Sequence, residues 1–298
     1  MLAFGCSIIM PEIYGRCARP GIERACEADS VVVANAASGS IARSYNLLLD
    51  GLADLPDLEA VVLLHEDAEI LEPDFCTKLR QAFADPEVAV VGCVGAAGVR
   101  DIAWWEGSTV WNSAPYRYGE SGGGELVFGG PGGSTAAPGE VDSLYGVLLA
   151  FSPWAAQNLR FDESIGMLHG YDFDICRQAR IQGRRVMTAD LRLAHHHSLD
   201  LVSDIEIWVA AHMRASDLCD EDEPSSDEDW RPRARRAEAS AAAARLLAAS
   251  KLLQADASSR QSAAELDLVR NSLSWRITEP LRRGNALVRS VRAGRAKS

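Results

Sequence analysis

The amino-acid sequence predicts an α/β fold, with a mixed, mainly parallel sheet flanked by helices and a helical extension at the C-terminus. Short apolar runs typical of buried strands alternate, between residues 2 and 198, with segments of helical periodicity. Several of these runs pass directly into polar residues, as strands do at the carboxyl edge of a parallel sheet. The chain has 298 residues, which is enough to bury a substantial core.

The first predicted unit is a strand at residues 2–10, followed by a short helix at residues 20–28. A second buried strand at residues 31–33 runs into a loop of small and polar residues at 34–40, and helical periodicity follows over residues 41–52. Strand, loop and helix in this order form the βα unit of a parallel sheet. The loop offers backbone N–H groups to a nucleotide, although a purely structural loop is an equally good interpretation.

Polar residues directly follow the next predicted strand, at residues 61–64. They are His65, Glu66 and Asp67, and their place after a buried strand puts them at the ligand-binding edge of the sheet. Carboxylate oxygens there suit Mg²⁺ or Mn²⁺. The alternative is a turn or capping cluster before the helix predicted at residues 73–83. A further strand is predicted at residues 88–94.

A second group of candidate residues follows an apolar run at residues 141–151. Asp172 begins a predicted helix that Gly183 ends. Residues 186–194 alternate like a strand and lead into three histidines: His195, His196 and His197. One helix start and one strand end therefore bring an acid and imidazoles toward a single cleft.

The C-terminal third differs in composition from the rest. Residues 217–229 carry eight acidic and no basic side chains, and residues 233–268 are rich in alanine, arginine, leucine and glutamate, which predicts a long helix. We therefore expect a catalytic domain at residues 1–215, an acidic linker at 216–231 and a helical, basic extension at 232–298. The long helix of this extension offers a surface through which copies of the chain could form an oligomer. The basic segment 276–298 suits contact with an anionic membrane, a solvated tail or packing on a partner subunit.

Composition excludes several classes of protein. The formal net charge of −12 gives no support to a nucleic-acid partner. Seven cysteines without a C-x-x-C pair indicate reduced thiols in a cytoplasmic protein, neither a disulfide framework nor a zinc site. No apolar run is long enough for a transmembrane helix, so we expect a cytoplasmic protein with at most peripheral contact to the inner face of the membrane.

Five short motifs follow one another along the chain: His65-Glu66-Asp67 after a strand, then residues 144–147, 161–163, 169–174 and the histidines at 195–197. In this order and spacing they resemble those of a family 2-like glycosyltransferase of GT-A fold. The resemblance covers roughly residues 2–198. Residues 271–276 also resemble tails of bacterial polysaccharide transferases.

The resemblance implies roles for individual residues. Asp67 stands at the metal-binding position of the family's D-x-D motif, and His65 stands where the family has the aspartate that contacts the nucleotide ribose. Asp172 matches the catalytic base, with Tyr171 in place of the acid that usually precedes it. His196 is the preferred match to the second metal ligand. His195 is the alternative, because neighbouring strand residues point to opposite faces.

The same resemblance implies a nucleotide pocket lined by Asn35 and Asn46, with His65 and Glu66 as further nucleotide contacts. A divalent ion (Mn²⁺ or Mg²⁺) held by Asp67 and a histidine would stabilise the charge that develops on a departing diphosphate. An ionised Asp172 would take the proton of the acceptor hydroxyl, and the helix N-terminus is expected to favour its ionised form.

The predicted function is transfer of a sugar from a nucleotide-sugar donor to a glycan or lipid-linked acceptor, with inversion, in cell-surface polysaccharide synthesis. Two rival hypotheses remain open. One is a catalytically silent GT-A-like module that binds a partner through its helical tail, which the departures at His65 and Tyr171 favour. The other is a histidine-based metal hydrolase, which lacks support from any H-E-x-x-H motif in the sequence.

Overall fold

The structure, a computed structural model, describes residues 1–99, 102–103, 108–113, 116–117, 125–126, 137–166, 168–196, 205–220 and 231–278. Up to residue 97 the elements alternate between strand and helix, apart from a few adjacent pairs. They are β1 (Leu2–Ile8), α1 (Pro11–Arg16), α2 (Ala18–Ala25), β2 (Val31–Ala36), α3 (Ile41–Leu52), β3 (Ala60–Leu64), β4 (Ala68–Ile70), α4 (Phe75–Ala82), β5 (Val88–Gly92) and β6 (Val94–Ala97).

The remaining elements begin with short strands and end in helices. They are β7 (Ser108–Asn112), β8 (Tyr116–Arg117), β9 (Glu125–Leu126), β10 (Ser143–Leu144), β11 (Leu148–Phe151), α5 (Pro153–Asn158), α6 (Tyr171–Ile181), β12 (Arg185–Thr188), β13 (Leu193–His195), α7 (Ile205–Asp220), α8 (Arg231–Asn271) and α9 (Leu273–Ile277).

The central sheet has six strands in the order β12-β5-β11-β3-β1-β2. β1 pairs in parallel with β2 and β3, and β12 pairs in parallel with β5. β11 is antiparallel to both of its neighbours. β3 and β5 are buried along their whole length, because helices cover both faces of the sheet. The predicted mixed, mainly parallel α/β architecture is confirmed.

Two apolar clusters lie on opposite faces of this sheet. On one face the helical residues Ile22, Phe75 and Leu79 pack against alternate residues of the strands. On the other face the cluster includes Leu48 of α3 and Ile175 of α6. Successive side chains of a strand point to opposite faces, so each buried strand contributes to both clusters.

β11 positions the site because it runs against β3. Leu148 pairs with Leu64 at the carboxyl end of β3, and the N–H of His65 donates to the carbonyl of Val147 at 3.1 Å. The segment 145–147, which links β10 to β11, therefore lies beside His65. The sequence predicts one apolar run here, whereas the structure divides it into two short strands that belong to different sheets.

The single strand predicted at residues 186–194 is wrong in its extent. β12 lies in the central sheet, whereas β13 lies in a second sheet of order β4-β13-β8-β9. The last bond to the central sheet runs from the N–H of Ala189 to the carbonyl of Gly92, and the carbonyl of Arg192 then accepts from the N–H groups of Leu71 and Glu72. The alternation continues across this change of sheet, so periodicity does not reveal it.

Smaller differences concern the ends of elements. The first strand ends at Ile8, and residues 34–36, predicted as loop, continue β2. The strand predicted at 88–94 divides at Cys93 into β5 and β6. The helices predicted at 41–52 and 73–83 are confirmed as α3 and α4.

The C-terminal helices follow the expected pattern in part. The long helix predicted at residues 233–268 is confirmed as α8, and α7 reaches Asp220, inside the stretch predicted as linker. Residues 221–230, most of the basic tail and His197 lie outside the described residues. None of the helices in the described part of the chain has both the length and the apolar character that a bilayer span needs.

Candidate functional site

Three side chains converge at the carboxyl edge of β3. His65, Asp67 and His195 each offer one ligand atom, and these atoms lie within 4.8 Å of one another. Asp67 Oδ1 is 3.2 Å from His195 Nε2 and 3.9 Å from His65 Nδ1. The side chain of His195 is 1% exposed, whereas those of His65 and Asp67 are 23% and 21% exposed. The cluster thus has a buried floor and a partly open mouth.

The second sheet brings His195 to this edge. The N–H of Ala68 donates to the carbonyl of His65 and closes a turn after β3. β4 then pairs with β13, so that His195 lies opposite Ala68, one residue from Asp67. The N–H of His196 donates to the carbonyl of Asp67 at 2.8 Å and extends this pairing. A short antiparallel pair therefore joins two segments that are far apart in the sequence.

Two tyrosines hold the imidazoles from behind. The hydroxyl of Tyr171 lies 2.7 Å from His65 Nε2, and that of Tyr145 lies 3.2 Å from His195 Nδ1. The Tyr171 ring packs edge-on against Tyr45 at 5.8 Å between ring centroids. A Cβ atom at Gly146 would overlap the Tyr171 hydroxyl, so only glycine fits beneath this ring.

The sequence predicted neither tyrosine as a site residue. Tyr145 lies in the motif at 144–147, and Tyr171 stands at a noted departure from the family pattern. Both positions therefore stood out in the sequence. Their contacts with the imidazoles could not be predicted, because these depend on pairings between distant segments.

Asp172 lies in the first turn of α6, next to Tyr171. Its carboxylate accepts hydrogen bonds from the N–H groups of Gly146 and Phe173, both at 2.9 Å. Burial raises the pKa of Asp172 to about 6, although these amide hydrogen bonds oppose the shift. The helix start alone led us to expect a carboxyl that ionises easily. The amides at the helix start do favour the ionised form, as expected, but removal from water has the larger effect on the pKa and was not foreseen.

Tyr45 packs against Tyr171, the residue before Asp172. Its ring is buried and its hydroxyl has no hydrogen-bond partner among the described residues. Burial raises the pKa of Tyr45 well above its ordinary value, and the charges of Cys6, Asp67 and Asp172 add to this effect. The negative charges of Asp67 and Asp172 both oppose ionisation of this hydroxyl.

His196, the histidine preferred from the sequence as a metal ligand, points elsewhere. Its Nε2 lies 2.9 Å from Glu69 Oε2, and Glu69 also accepts from Arg24 at 2.7 Å. Burial raises the pKa of Glu69, but the hydrogen bonds from Arg24 and His196 outweigh it and leave that pKa lowered. The preference for His196 therefore differs from the structure, which brings His195, the alternative, into the cluster. Alternation along the strand explains the difference.

The predicted nucleotide contacts have different surroundings. Asn35 is exposed at the end of β2. Both polar atoms of the Asn46 side chain bond the backbone of Phe161, and its Nδ2 also lies 3.3 Å from Glu163 Oε1. Asn46 therefore links α3 to the loop before α6, a structural role that the sequence did not indicate.

Glu66 also has partners within the protein. One of its carboxylate oxygens accepts from the N–H groups of Ile9 and Met10, at 2.7 and 2.9 Å. Met10 is the N-cap residue of α1, so this carboxylate bonds the two backbone N–H groups that lead into the helix. Glu66 thus fixes the end of β1 against the turn that carries Asp67.

Comparison with known proteins identifies the family. A family model described as "Glycosyltransferase like family" matches residues 20–226, more than half of the chain. A streptomycin biosynthesis protein, StrF of Streptomyces griseus, is 28% identical over 201 residues, which cover 66% of this chain and 67% of that protein.

Solved structures with a similar fold include glycosyltransferases. GalNAc-T7, solved with UDP, GalNAc and Mn²⁺, aligns with a TM-score of 0.50 at 10% identity, over 75% of this chain and 48% of its own. The mannosyltransferase PcManGT from Pyrobaculum calidifontis, in complex with GDP-Man and Mn²⁺, aligns with a TM-score of 0.48 at 14% identity, over 93% and 82% of the two chains. Together with the sheet order, the likeness to GalNAc-T7 supports the predicted GT-A fold. The match of the family model shows that this chain belongs to the glycosyltransferase-like family.

Proposed function

We propose that the protein transfers a sugar from a nucleotide-sugar donor to an acceptor hydroxyl, with inversion of configuration and with the help of a divalent ion. The observation that carries the proposal is the convergence of His65, Asp67 and His195 at the sheet edge beside the start of α6. The GT-A neighbour solved with UDP and Mn²⁺ binds the same class of ligand.

The donor atoms fit a divalent ion. Imidazole nitrogens and a carboxylate oxygen are common ligands of Mn²⁺, and Asp67 with His195 forms the core of the set. Bound there, such an ion supplies charge stabilisation to a departing diphosphate. The partly exposed side of the cluster leaves room for the oxygens of a substrate.

Asp172 is the group we propose as the base. It accepts the proton of the acceptor hydroxyl as that oxygen attacks the anomeric carbon. A pKa of about 6 leaves it mostly ionised at neutral pH and more basic than an ordinary aspartate, which suits proton abstraction. The amides of Gly146 and Phe173 orient the carboxylate.

We propose a glycan or lipid-linked acceptor in cell-surface polysaccharide synthesis. The relative named for streptomycin biosynthesis makes a small-molecule acceptor the second candidate. We further propose a cytoplasmic location, with peripheral membrane contact through residues 276–298 and an oligomer contact through α8. Flotation of liposomes with the full chain and with a chain ending at residue 275 tests the membrane contact.

The test of the function is release of nucleoside diphosphate from UDP-, GDP- and TDP-sugars by the full chain, with Mn²⁺ and with EDTA. We expect slow hydrolysis of one donor with Mn²⁺ alone, and faster release when the acceptor is present. Donor binding without turnover over a broad acceptor panel would instead favour the silent binding module. Tightly bound Zn²⁺ with no affinity for nucleotides would favour a hydrolase.

A further inference from the structure

His65 lies beside Asp67 and His195, the two residues that form the core of the proposed metal site. The proposed function does not require His65 itself to bind the ion. Its Nδ1 lies 3.9 Å from Asp67 Oδ1, and His195 Nε2 lies 3.2 Å from the same oxygen. Both imidazoles thus turn one nitrogen toward a common carboxylate oxygen. The His65 and His195 rings meet nearly edge-on, with 5.8 Å between their centroids.

The opposite nitrogen of each imidazole contacts a tyrosine hydroxyl. Tyr171 lies 2.7 Å from His65 Nε2, and Tyr145 lies 3.2 Å from His195 Nδ1. Histidines that bind metals almost always bond their second nitrogen to a polar group, which fixes the tautomer and the orientation of the ring. The arrangement around His65 repeats the one around His195.

We propose that His65 is a third metal ligand with Asp67 and His195, and that this set selects a first-row transition ion over Mg²⁺. The inference rests on the proposed function, which makes this cluster the site of the ion. Two imidazoles and one carboxylate suit Mn²⁺, Co²⁺ or Zn²⁺, whereas Mg²⁺ prefers oxygen ligands and retains its waters. A histidine rather than an oxygen ligand at residue 65 therefore favours a transition ion over Mg²⁺.

Packing keeps the imidazole of His65 in place. The Tyr171 ring lies against Tyr45 and Phe161, with 5.8 and 5.9 Å between ring centroids, and Gly146 leaves space for its hydroxyl. A hydroxyl held by a buried aromatic cluster loses little entropy when it orients an imidazole. Tyr171 is accordingly a positioning residue that acts through His65.

The number of bound imidazoles is the direct test. The full chain is stripped with EDTA and loaded with Mn²⁺, and nitrogen couplings to the ion are counted by pulsed electron paramagnetic resonance. We expect two imidazole couplings in the wild type and one in His65→Ala. His196→Ala is the matched control, since His196 bonds Glu69, and it should retain two. Two couplings in His65→Ala, or one in His196→Ala, would overturn the proposal.

Affinities for the metal alone provide the second measurement. By calorimetric titration we expect Mn²⁺ and Co²⁺ to bind the wild type at least about tenfold more tightly than Mg²⁺, and His65→Asp to narrow this preference. Tyr171→Phe keeps the ring and should weaken Mn²⁺ binding by about tenfold with the same imidazole count. Equal affinity of the wild type for Mg²⁺ and Mn²⁺, or an unchanged preference in His65→Asp, would contradict the inference.

These measurements separate the inference from the function. Two couplings in a wild type that never turns over a nucleotide-sugar would support His65 as a ligand and refute the transferase. Turnover by a wild type with a single coupling would do the reverse. No binding of Mn²⁺ at all would overturn the inference. It would show that the contacts among Asp67, the two imidazoles and the two tyrosines form a hydrogen-bonded cluster without an ion.

Discussion

His195 and His196 are neighbours on one strand, yet they lie in different chemical surroundings. His195 is buried between Asp67 and Tyr145, whereas His196 bonds Glu69, away from the cluster. α6 repeats this contrast. Asp172 accepts from two backbone amides at the site, and Asp174, two residues later, lies buried against Gln178. The comparison teaches that side-chain direction decides which of two identical residues can do chemistry.

Replacement of Asp172 by Asn is the largest expected effect. The isosteric amide cannot accept the proton of the acceptor, so transfer should fall by about 10²–10⁴-fold while donor binding stays nearly unchanged. The measurement is kcat with donor and acceptor at saturation. Asp174→Asn is the matched control, and it should transfer at close to the wild-type rate. Similar losses in the two variants would break the contrast within α6.

Removal of His195 should cost almost as much. If the buried imidazole binds the ion as proposed, Mn²⁺-dependent binding of UDP should weaken by more than about 100-fold, beyond the range usual for outer-shell partners. His196→Ala should change it by less than about threefold, because His196 bonds Glu69 outside the cluster and a single partly exposed contact contributes little. Calorimetric titration of UDP with and without Mn²⁺ measures both. A reversed order would restore His196 as the ligand.

The pH dependence of transfer should follow Asp172. Its pKa is raised to about 6, so the base is protonated below that pH, and kcat/KM should drop about tenfold per pH unit in that range and level off above it. The profile is measured at saturating Mn²⁺, which keeps the metal site loaded. A rate that stays constant from pH 5 to pH 7 would remove Asp172 from this role.

A Cβ at Gly146 should destabilise the packing around Tyr171 and leave the contact between His196 and Glu69 unchanged. Gly146→Ala pushes against the Tyr171 hydroxyl, and overpacking of this kind costs about 1–3 kcal/mol of unfolding free energy. Urea unfolding monitored by circular dichroism gives the value. Gly51→Ala is the control, because a Cβ there meets no atom within 4 Å. Equal stability of the two variants would show that the ring has room to move.

The smallest expected effect on stability comes from the contact between His196 and Glu69. His196→Ala removes one contact of Glu69, which keeps its bond to Arg24, so the free energy of unfolding should change by less than about 1 kcal/mol. A larger loss would mean that the His196–Glu69 contact holds β13 in register.

The sequence predicted those parts of the fold that depend on local patterns. Helix α3 begins at Ser40, whose side chain accepts from the N–H of Arg43, and its periodicity is plain. The position of Asp67 after a buried strand was sufficient to place it at the sheet edge. β4 was missed because three residues carry no periodicity, and β13 was merged with β12 into one predicted strand.

Contacts between distant residues were beyond sequence reasoning. Glu66 bonds the backbone 57 residues away, and Asn46 bonds Phe161 115 residues away. Residue type and neighbourhood in the chain, on which the nucleotide contacts of Glu66 and Asn46 are predicted, do not reveal such partners. The choice between His195 and His196 depended in the same way on the register of β13 with β4.

The tripeptide from Tyr145 to Val147 has a mechanical consequence. Its first residue contacts His195, its second bonds Asp172, and its third accepts from the backbone of His65. Three consecutive residues therefore set the distances between Asp172 and the two imidazoles. A one-residue insertion in this tripeptide would displace all three contacts at once, so we expect the candidate site to tolerate a change in chain length least at this point.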